Sequence, residues 1–247
     1  MEDQKLKVRA VERALDILMC FTEAQDLGLS EIAGRVNLHK STVHRLLTTL
    51  EDKGFIIRNS DTDKYRLGFR IWELSANLSQ SDDPAFILLP EMEKLRDILG
   101  ETVSLYIRDG IERIRIQAVQ SNQAIRRVAP VGVRLPLYAG ASSKVLFAFA
   151  DDEEQRWMRN ESPLPKSIKL KLFDKQLNEI VKLGYATSIE EREPGAAAVA
   201  APILNRANKL VAALSVSGPS NRLTLEKMKG HSQLIIDTAK RMGKMLK

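Results

Sequence analysis

The sequence is poor in side chains on which many secreted, catalytic and membrane proteins depend. Its 247 residues include one cysteine and three histidines, and aromatic residues make up only 5%. A lone cysteine cannot build a disulfide framework, which favours a reducing compartment. No apolar run approaches the ~18 residues that a membrane helix requires, and residues 1–10 lack the apolar stretch of a signal peptide. We therefore expect a cytoplasmic protein without membrane contact.

Histidine is too scarce for most catalytic and metal sites. His39 and His44 lie near the N-terminus, which leaves His231 alone in the rest of the chain. A Ser-His-Asp triad, a Cys-His pair or a His-rich metal site is therefore hard to assemble. Residues 139–144 lack the spacing of a nucleotide-binding glycine loop, and the acids of residues 190–193 precede Pro-Gly, as in solvated loops. We expect no enzyme, no metal and no cofactor.

The N-terminal third also lacks an excess of positive charge. The whole chain has a formal net charge of +6 and a pI near 9.4, which is typical of proteins that bind nucleic acid. Residues 1–80 nevertheless contain about as many acidic as basic side chains, so the excess lies downstream. Only the placement of individual residues can therefore support DNA binding by this third.

Residues 27–67 have the order of a winged helix-turn-helix. Ser30 is predicted to cap a short helix whose inward side chains are Ile32, Ala33 and Val36. A second helix is predicted from about Lys40, because apolar residues recur at i, i+3, i+4 and i+7 in Val43, Leu46, Leu47 and Leu50. Two alternating runs at 55–58 and 64–67 flank a turn-rich segment and predict a β-hairpin.

The exposed side of the second helix suits the reading of a DNA groove. Ser41 and Thr42 can meet a phosphate or a base edge, and Arg45 can bind guanine bidentately. Cations on the hairpin would act as phosphate clamps. For any one residue a solvated surface is an equal alternative, but the combined pattern favours double-stranded DNA. The predicted DNA contacts are Lys40, Ser41, Thr42, Arg45, Thr48, Arg58, Lys64 and Arg66.

Several phrases carry a family resemblance. VRAVERALDILMCF, LSEIAGRVNLHKSTVHRLLTTLEDKGFI and YRLG resemble the DNA-binding head of the IclR family of bacterial transcriptional regulators. LPLYAGASSKVLFAF, GYATSIEEREPGAAAVAAPI and LVAALSVSGPSNRLT resemble its effector-binding domain, in the same order and at similar spacing. The resemblance covers nearly the whole chain.

The resemblance implies an α+β protein in three parts. Residues 1–68 would form the winged helix-turn-helix, and residues 69–83 a connector helix and linker. Residues 84–247 would form a GAF-like effector-binding domain with an antiparallel sheet. The connector would help to pair two heads, giving a homodimer or tetramer on a pseudo-palindromic operator.

Periodicity predicts the remaining elements. A helix over 8–21 would bury Val8, Val11, Leu15 and Leu18, with Cys20 as a buried small side chain rather than a reactive thiol. An amphipathic helix over 69–78 would be the connector. Further helices are predicted at 84–99, 141–150, 172–183 and from Thr224 to the end. Strands are predicted at 102–108, 113–119, 124–129, 185–189, 197–204 and 210–217.

Two features of the C-terminal part suggest a ligand pocket. Ser215 and Ser217 share one side of a strand, and the Gly- and Ser-rich start of the helix at Ala141 is suited to an anion. Close packing of small residues explains both features equally well. The resemblance favours the pocket and places effector contacts at Leu135, Ala141, Ser142, Ser188, Ala198, Ser215 and Ser217.

The chain departs from the family pattern at three of these positions. Ala141 stands where the family has glycine, Ser188 where it has aspartate, and Ala198 where it has cysteine. A small organic acid is therefore expected as a class, without its identity. Arg126 or Arg127 would point inward to pair with its carboxylate, or both would be solvated.

The sequence thus predicts a sequence-specific DNA-binding transcriptional regulator, a repressor or an activator, modulated by a small organic acid. A metabolic enzyme with a winged helix and a winged helix used for protein pairing are the alternatives. Turnover of a candidate acid would reveal the first. DNA binding that is weak and indifferent to salt would reveal the second, because phosphate contacts weaken with added salt.

Overall fold

The computed structural model describes residues 8–78, 83–126, 130–161, 165 and 168–246. The chain folds into two compact units, residues 1–80 and 81–247. Each unit has buried apolar side chains of its own. No helix among the described residues combines the length and the apolar character needed to cross a membrane.

The N-terminal unit is a winged helix-turn-helix, as predicted. Its helices are α1 (Arg9–Met19), α2 (Leu29–Arg35), α3 (Lys40–Asp52) and α4 (Phe69–Leu78), with a 3-10 turn at Cys20–Thr22. Strands β1 (Leu27–Gly28), β2 (Ile56–Arg58) and β3 (Lys64–Leu67) form an antiparallel sheet in the order β1-β3-β2. The predicted hairpin corresponds to β2 and β3, whereas β1 was not predicted.

The prediction of which apolar side chains of α1 are buried is wrong. Ile17 and Phe21 enter the core, and Leu18 is half buried against it. Four apolar side chains are instead more than half exposed, namely Val8, Val11, Leu15 and Met19. The helix carries two apolar stripes, and periodicity alone does not decide which one the rest of the unit covers.

The predicted cap of α2 is also wrong. The helix begins at Leu29, so Ser30 lies in its first turn. The N–H of Gly28 donates to Oε2 of Glu31 over 2.7 Å. Because Leu27 and Gly28 pair with β3, the backbone is already fixed before the helix starts.

The C-terminal unit is an α+β domain built on an antiparallel sheet, as predicted. Over the described residues the sheet has six strands in the order β6-β5-β4-β9-β8-β7. They are β4 (Thr102–Asp109), β5 (Glu112–Val119), β6 (Arg134–Pro136), β7 (Ala186–Ile189), β8 (Ala196–Leu204) and β9 (Leu210–Pro219). The helices are α5 (Pro84–Ile87), α6 (Leu89–Leu99), α7 (Ala141–Ala148), α8 (Asp152–Glu161), α9 (Leu170–Leu183) and α10 (Leu225–Met245).

Helices cover both faces of this sheet. Residues of α6 and α10 share a core with one face, and residues of α7 and α9 share a core with the other. In β9, Leu214 and Val216 point into the first core, whereas Ala213 points into the second. Ser215 and Ser217 therefore face the α7 side, which confirms that they lie opposite Leu214 and Val216.

Two predictions for this unit need correction, and one helix was missed. The helix predicted at 84–99 is interrupted at Leu88, and α6 restarts with Pro90 in its first turn, a position that needs no N–H. The described part of the strand predicted at 124–129 has a bend at 124–125 and no strand, and residues 127–129 lie outside the described residues. Helix α8, which begins with three acids, was not predicted.

Candidate functional site

The outward side of α3 displays polar residues that were predicted to meet DNA. Its inward side chains, Val43 and Leu47, are fully buried in the core of the unit. The predicted contacts exposed on this helix are Lys40, Ser41, Arg45 and Thr48. His44 is exposed as well, although the sequence analysis did not select it. The helix has no acidic side chain before Glu51, so most of its length favours the approach of phosphate.

Some of these groups already have partners nearby. Ser41 Oγ lies 2.9 Å from Nδ1 of His39, and Thr48 Oγ1 donates to the carbonyl oxygen of His44 over 3.0 Å. The Thr48 hydroxyl thus bonds back to its own helix, which leaves the methyl group for an outside contact. Thr42 is half buried, so less of it is accessible than predicted.

The structure does not bring the three predicted hairpin cations onto one surface. Arg58 Nη2 lies 2.9 Å from Oδ1 of Asp63, and its guanidinium lies 5.7 Å from the ring centre of buried Tyr65. Lys64 and Arg66 flank Tyr65 in β3 and are exposed on the opposite face. The charge of Arg58 is therefore partly neutralised, whereas Lys64 and Arg66 present theirs to solvent.

In the C-terminal unit, most of the predicted effector contacts surround one small cavity. They are Ala141, Ser142, Ser188, Ala198, Ser215 and Ser217. Ser188 pairs with Ala198, and Ala198 pairs with Ser217, so these three form a row across β7, β8 and β9. Paired residues of neighbouring strands lie on the same face, and α7 packs on this one.

Leu135 is the exception among the predicted contacts. It lies in β6, half buried against the core around α7, and it does not line the cavity. Arg126 is exposed and donates to Gln120 and to the carbonyl oxygen of Gln123, which is the solvated alternative. Arg127 lies outside the described residues.

Sequence reasoning missed a buried arginine in the cavity wall. Arg113 of β5 is 3% exposed, and its Nη1 donates to Ser142 Oγ over 2.8 Å and to Ser143 Oγ over 2.6 Å. Its guanidinium also lies 4.8 Å from the ring centre of Tyr106. Arg113 and Arg115 alternate with isoleucines, a pattern typical of a strand with one face in solvent. Because helices cover both faces of this sheet, the arginines and the isoleucines both lie in the interior of the unit.

Glu191 lies in an exposed loop, as predicted, but its carboxylate has partners at the start of α7. Its Oε2 accepts a hydrogen bond from the N–H of Gly140 over 2.9 Å, and its Oε1 lies 2.5 Å from Nζ of Lys144. Lys144, with a side chain 8% exposed, also donates to the carbonyl oxygen of Thr187 over 2.8 Å. The segment before Gly195 is thereby held at the N-terminus of α7, where the positive end of the helix attracts an anion.

The cavity is small. Its volume is about 20 Å³, and a single water molecule needs about 10–15 Å³ of such space. An organic ligand therefore requires a shift of the wall, which includes Arg192 and Glu193 of the same segment as Glu191.

An ion pair supports the end of β9. Arg222 Nη2 donates to Oε2 of Glu101 over 2.8 Å, and this hydrogen bond raises the pKa of Arg222. A Cβ at Gly218 would clash with the Glu101 carboxylate. The glycine in the phrase SVSGP therefore leaves space for this pair, next to the strand position of Ser217.

Two protein-family models match the chain. The family described as "Bacterial transcriptional regulator IclR C-terminal" matches residues 81–243, which is more than half of the chain. The "IclR helix-turn-helix domain" matches residues 10–60, a range that contains α3.

Individual proteins agree with these matches. The chain is 31% identical to the HTH-type transcriptional regulator BhcR of Paracoccus denitrificans, over 96% of this chain and 86% of that protein. It is 30% identical to the HTH-type transcriptional repressor AllR of Escherichia coli, over 94% of this chain and 88% of that protein. The crystal structure of an IclR homolog complexed with 4-hydroxybenzoate, from Microbacterium hydrocarbonoxydans, has a TM-score of 0.83 and 25% identity, covering 96% of this chain and 98% of that one.

Proposed function

The chain belongs to the IclR family of bacterial transcriptional regulators, and we propose that a small organic acid controls its binding to a pseudo-palindromic DNA site. It is a DNA-binding regulator and not an enzyme. The observation that carries the proposal of an effector is the convergence of Ser142, Ser188, Ser215 and Ser217 on one cavity beside buried Arg113.

In this proposal α3 enters the major groove. Arg45 reads a base edge, Lys40 and Ser41 lie at the helix N-terminus where amides and charge meet phosphate, and Thr48 offers its methyl group to thymine. Lys64 and Arg66 bind the sugar-phosphate backbone and fix the register of the head without reading sequence.

Arg45→Ala is the sharpest test of this head. The DNA site is first obtained by incubating the protein with sheared DNA from its own source and sequencing what it retains. We expect affinity for that site to fall about tenfold to hundredfold, because a bidentate contact to guanine contributes about 1–3 kcal/mol. Affinity for random DNA should change little, since nonspecific binding depends on the phosphates.

Lys64→Ala is the matched control. Loss of a phosphate contact should weaken binding to all DNA sequences alike. It should also reduce the slope of log affinity against log salt concentration by about 1. An Arg45→Ala protein that keeps its full preference for the selected site would contradict the role of α3.

We further propose that two heads pair. Residues 1–68 would read DNA, residues 69–83 would connect, and residues 84–247 would bind the effector. The exposed stripe of α1 and the exposed rings of Phe69 and Trp72, each 76% accessible, are apolar surfaces that a second copy would cover. Leu15→Glu should then shift the mass measured by light scattering from a dimer or tetramer toward a monomer, whereas Glu12→Gln should not.

For the effector we propose a carboxylate of low mass. The related protein named above is complexed with 4-hydroxybenzoate, which is such an acid. Its entry into this chain would displace the segment carrying Glu191 and Arg192, because the cavity of about 20 Å³ is otherwise too small. A coupling of only ~1–3 kcal/mol to the heads would change DNA occupancy about fivefold to hundredfold.

Thermal-shift screening of organic acids on the full chain tests this site. The double variant Ser215→Ala, Ser217→Ala should lose the response to any acid that stabilises the natural protein. Ser232→Ala, a serine on α10 that donates to the carbonyl oxygen of Lys229, is the control and should keep that response. Equal responses of both variants would refute this cavity as the effector site.

A further inference from the structure

Lys144 of α7 is a buried cation that contacts an acid from a loop. Its side chain is 8% exposed, and its Nζ lies 2.5 Å from Oε1 of Glu191. Nζ also donates to the carbonyl oxygen of Thr187 over 2.8 Å, but this acceptor is neutral. Loss of one member of a buried ion pair is costly, because it leaves the other charge uncompensated. Lys144 therefore favours an anion beside it at all times.

Glu191 is the more easily removed member of this pair. It follows β7 in a loop, and its side chain is 33% exposed. Its carboxylate makes both contacts with the start of α7, one to Lys144 and one to the N–H of Gly140 over 2.9 Å. A carboxylate that is already partly exposed recovers its hydration when it turns to solvent, whereas the buried ammonium of Lys144 does not.

Glu191 lies between two cavities. It lines the small cavity of about 20 Å³ and also a second cavity of about 540 Å³. Lys144 lines the second cavity as well, together with apolar side chains that include Leu172 and Phe173 of α9. Sites for small molecules have volumes of about 300–1,000 Å³ and mostly apolar walls. A ligand that took the place of the Glu191 carboxylate would therefore have room for an apolar body.

We propose that the carboxylate of the effector replaces that of Glu191 beside Lys144, and that this exchange makes the site selective for acids with an apolar body. The inference rests on the proposed function, in which an organic acid displaces the segment that carries Glu191. An acid keeps Lys144 paired with an anion throughout. A neutral ligand that displaced Glu191 would leave the buried cation uncompensated, which is the costly case.

Glu191→Gln tests the exchange. Glutamine keeps an oxygen that can accept from Gly140, but it lacks the charge that competes with the acid. Titration calorimetry on the full chain measures binding of lactate and 4-hydroxybenzoate, each beside its primary amide. In the natural protein we expect an acid to bind better than its amide. In Glu191→Gln that acid should bind about tenfold to hundredfold more tightly, and its amide should stay within about threefold.

Glu190→Gln is the matched control. Glu190 precedes Glu191 in the same loop, lines neither cavity, and accepts from the hydroxyl of Ser220 over 2.8 Å. The substitution makes the same change of net charge without touching the ion pair of Lys144. Affinity for the acid should therefore stay within about twofold of that of the natural protein. An equal gain in both variants would assign the effect to overall charge and refute the exchange.

Lys144→Met tests the other member of the pair, and it should lower the ratio of acid to amide affinity about tenfold or more. The double variant Lys144→Met, Glu191→Gln contains neither charge. It should show the same loss, and it covers the case in which Lys144→Met does not fold. If an acid binds the natural protein but these variants keep its ratio, or Glu191→Gln gains nothing, the exchange is refuted and the effector class stands. If no acid binds the natural protein or Glu191→Gln, the effector class fails and the exchange fails with it.

Discussion

The two units of this protein present their functional residues in opposite ways. In the N-terminal unit, Arg45 and Ser41 stand exposed on a single helix whose other side is core. In the C-terminal unit, Ser142, Ser217 and Arg113 are buried between a sheet and a helix. A substitution on the exposed surface should alter binding while sparing stability, whereas one in the buried site should alter both.

The largest effect on stability should come from a substitution in the packed interior, remote from both functional sites. Gly243 of α10 lies against β8, and a Cβ there would clash with the carbonyl oxygen of Leu204. Gly243→Ala should lower the free energy of unfolding of the C-terminal unit by about 2–3 kcal/mol, the upper range for overpacking. Urea denaturation would be followed through Trp157 fluorescence in a Trp72→Phe background, which leaves only the tryptophan of that unit.

Gly230→Ala is the control on the same helix. Among the described residues, no atom beyond the backbone of the helix itself lies within 4 Å of a Cβ at Gly230. Alanine should therefore stabilise the helix by about 0.5–1 kcal/mol through its higher propensity. Equal effects of the two changes would show that α10 is not packed tightly on β8.

A serine in the first turn of a helix allows a direct comparison of the two units. Ser142 of α7 is buried and accepts from Arg113, whereas Ser41 of α3 is exposed. Ser142→Ala should cost about 1–2 kcal/mol of unfolding free energy, because a buried donor loses its acceptor. Ser41→Ala should cost less than about 0.5 kcal/mol, as is usual for surface changes. Equal losses of unfolding free energy for the two variants in urea titrations would contradict the distinction between a buried and an exposed functional site.

The functional residues of the N-terminal unit could be predicted from the sequence more completely than those of the C-terminal unit. The residues of α3 follow from one periodic stripe, so their exposure needs only local information. Arg113 meets Ser142, which is 29 residues away, and Glu191 meets Gly140, which is 51 residues away. Such contacts depend on how distant strands are aligned.

The alignment of β4 and β5 shows why Arg113 was missed. Leu105 pairs with Gln117, but the next residue, Tyr106, pairs with Arg115, so the register shifts by one residue. A regular ladder would place Tyr106 opposite Ile116 and turn both arginines to the other face of the sheet. No pattern in the sequence marks this bulge, which sets the face of the sheet on which Arg113 lies. The serines of SVSGP needed only strand alternation and the family resemblance.

An ion pair in the C-terminal unit should have a smaller effect on the free energy of unfolding. Glu91 of α6 lies 2.8 Å from Lys94 and 3.2 Å from Arg241 of α10, and hydrogen bonds from these cations hold its pKa below the ordinary 4.5. A lowered pKa in the folded state means that Glu91 stabilises the fold above pH 4.5 and that this stabilisation is lost as the pH falls through the folded value.

Glu91→Gln should therefore be less stable than the natural protein at neutral pH, by about 0.5–1 kcal/mol. The difference should shrink as the pH falls through the folded pKa of Glu91 and vanish below it, where the carboxyl is protonated in both states. Urea titrations of both proteins at several pH values measure this difference. Glu93→Gln, on the exposed side of the same helix, is the control. A difference that persists unchanged in acid would show that Glu91 acts through packing rather than charge.

The smallest effect should come from the tip of the exposed hairpin. Asp61 is exposed there, and its N–H donates to Oδ1 of Asn59 over 2.8 Å, a bond that asparagine at this position would keep. Asp61→Asn should raise affinity for DNA about twofold to threefold at low salt, because it removes one charge that repels phosphate. Glu226→Gln makes the same change of net charge on α10 of the other unit. If it raises affinity equally, the effect belongs to overall charge and the hairpin does not approach DNA. If only Asp61→Asn raises affinity for DNA, single surface charges of the N-terminal unit set its affinity without involving its core.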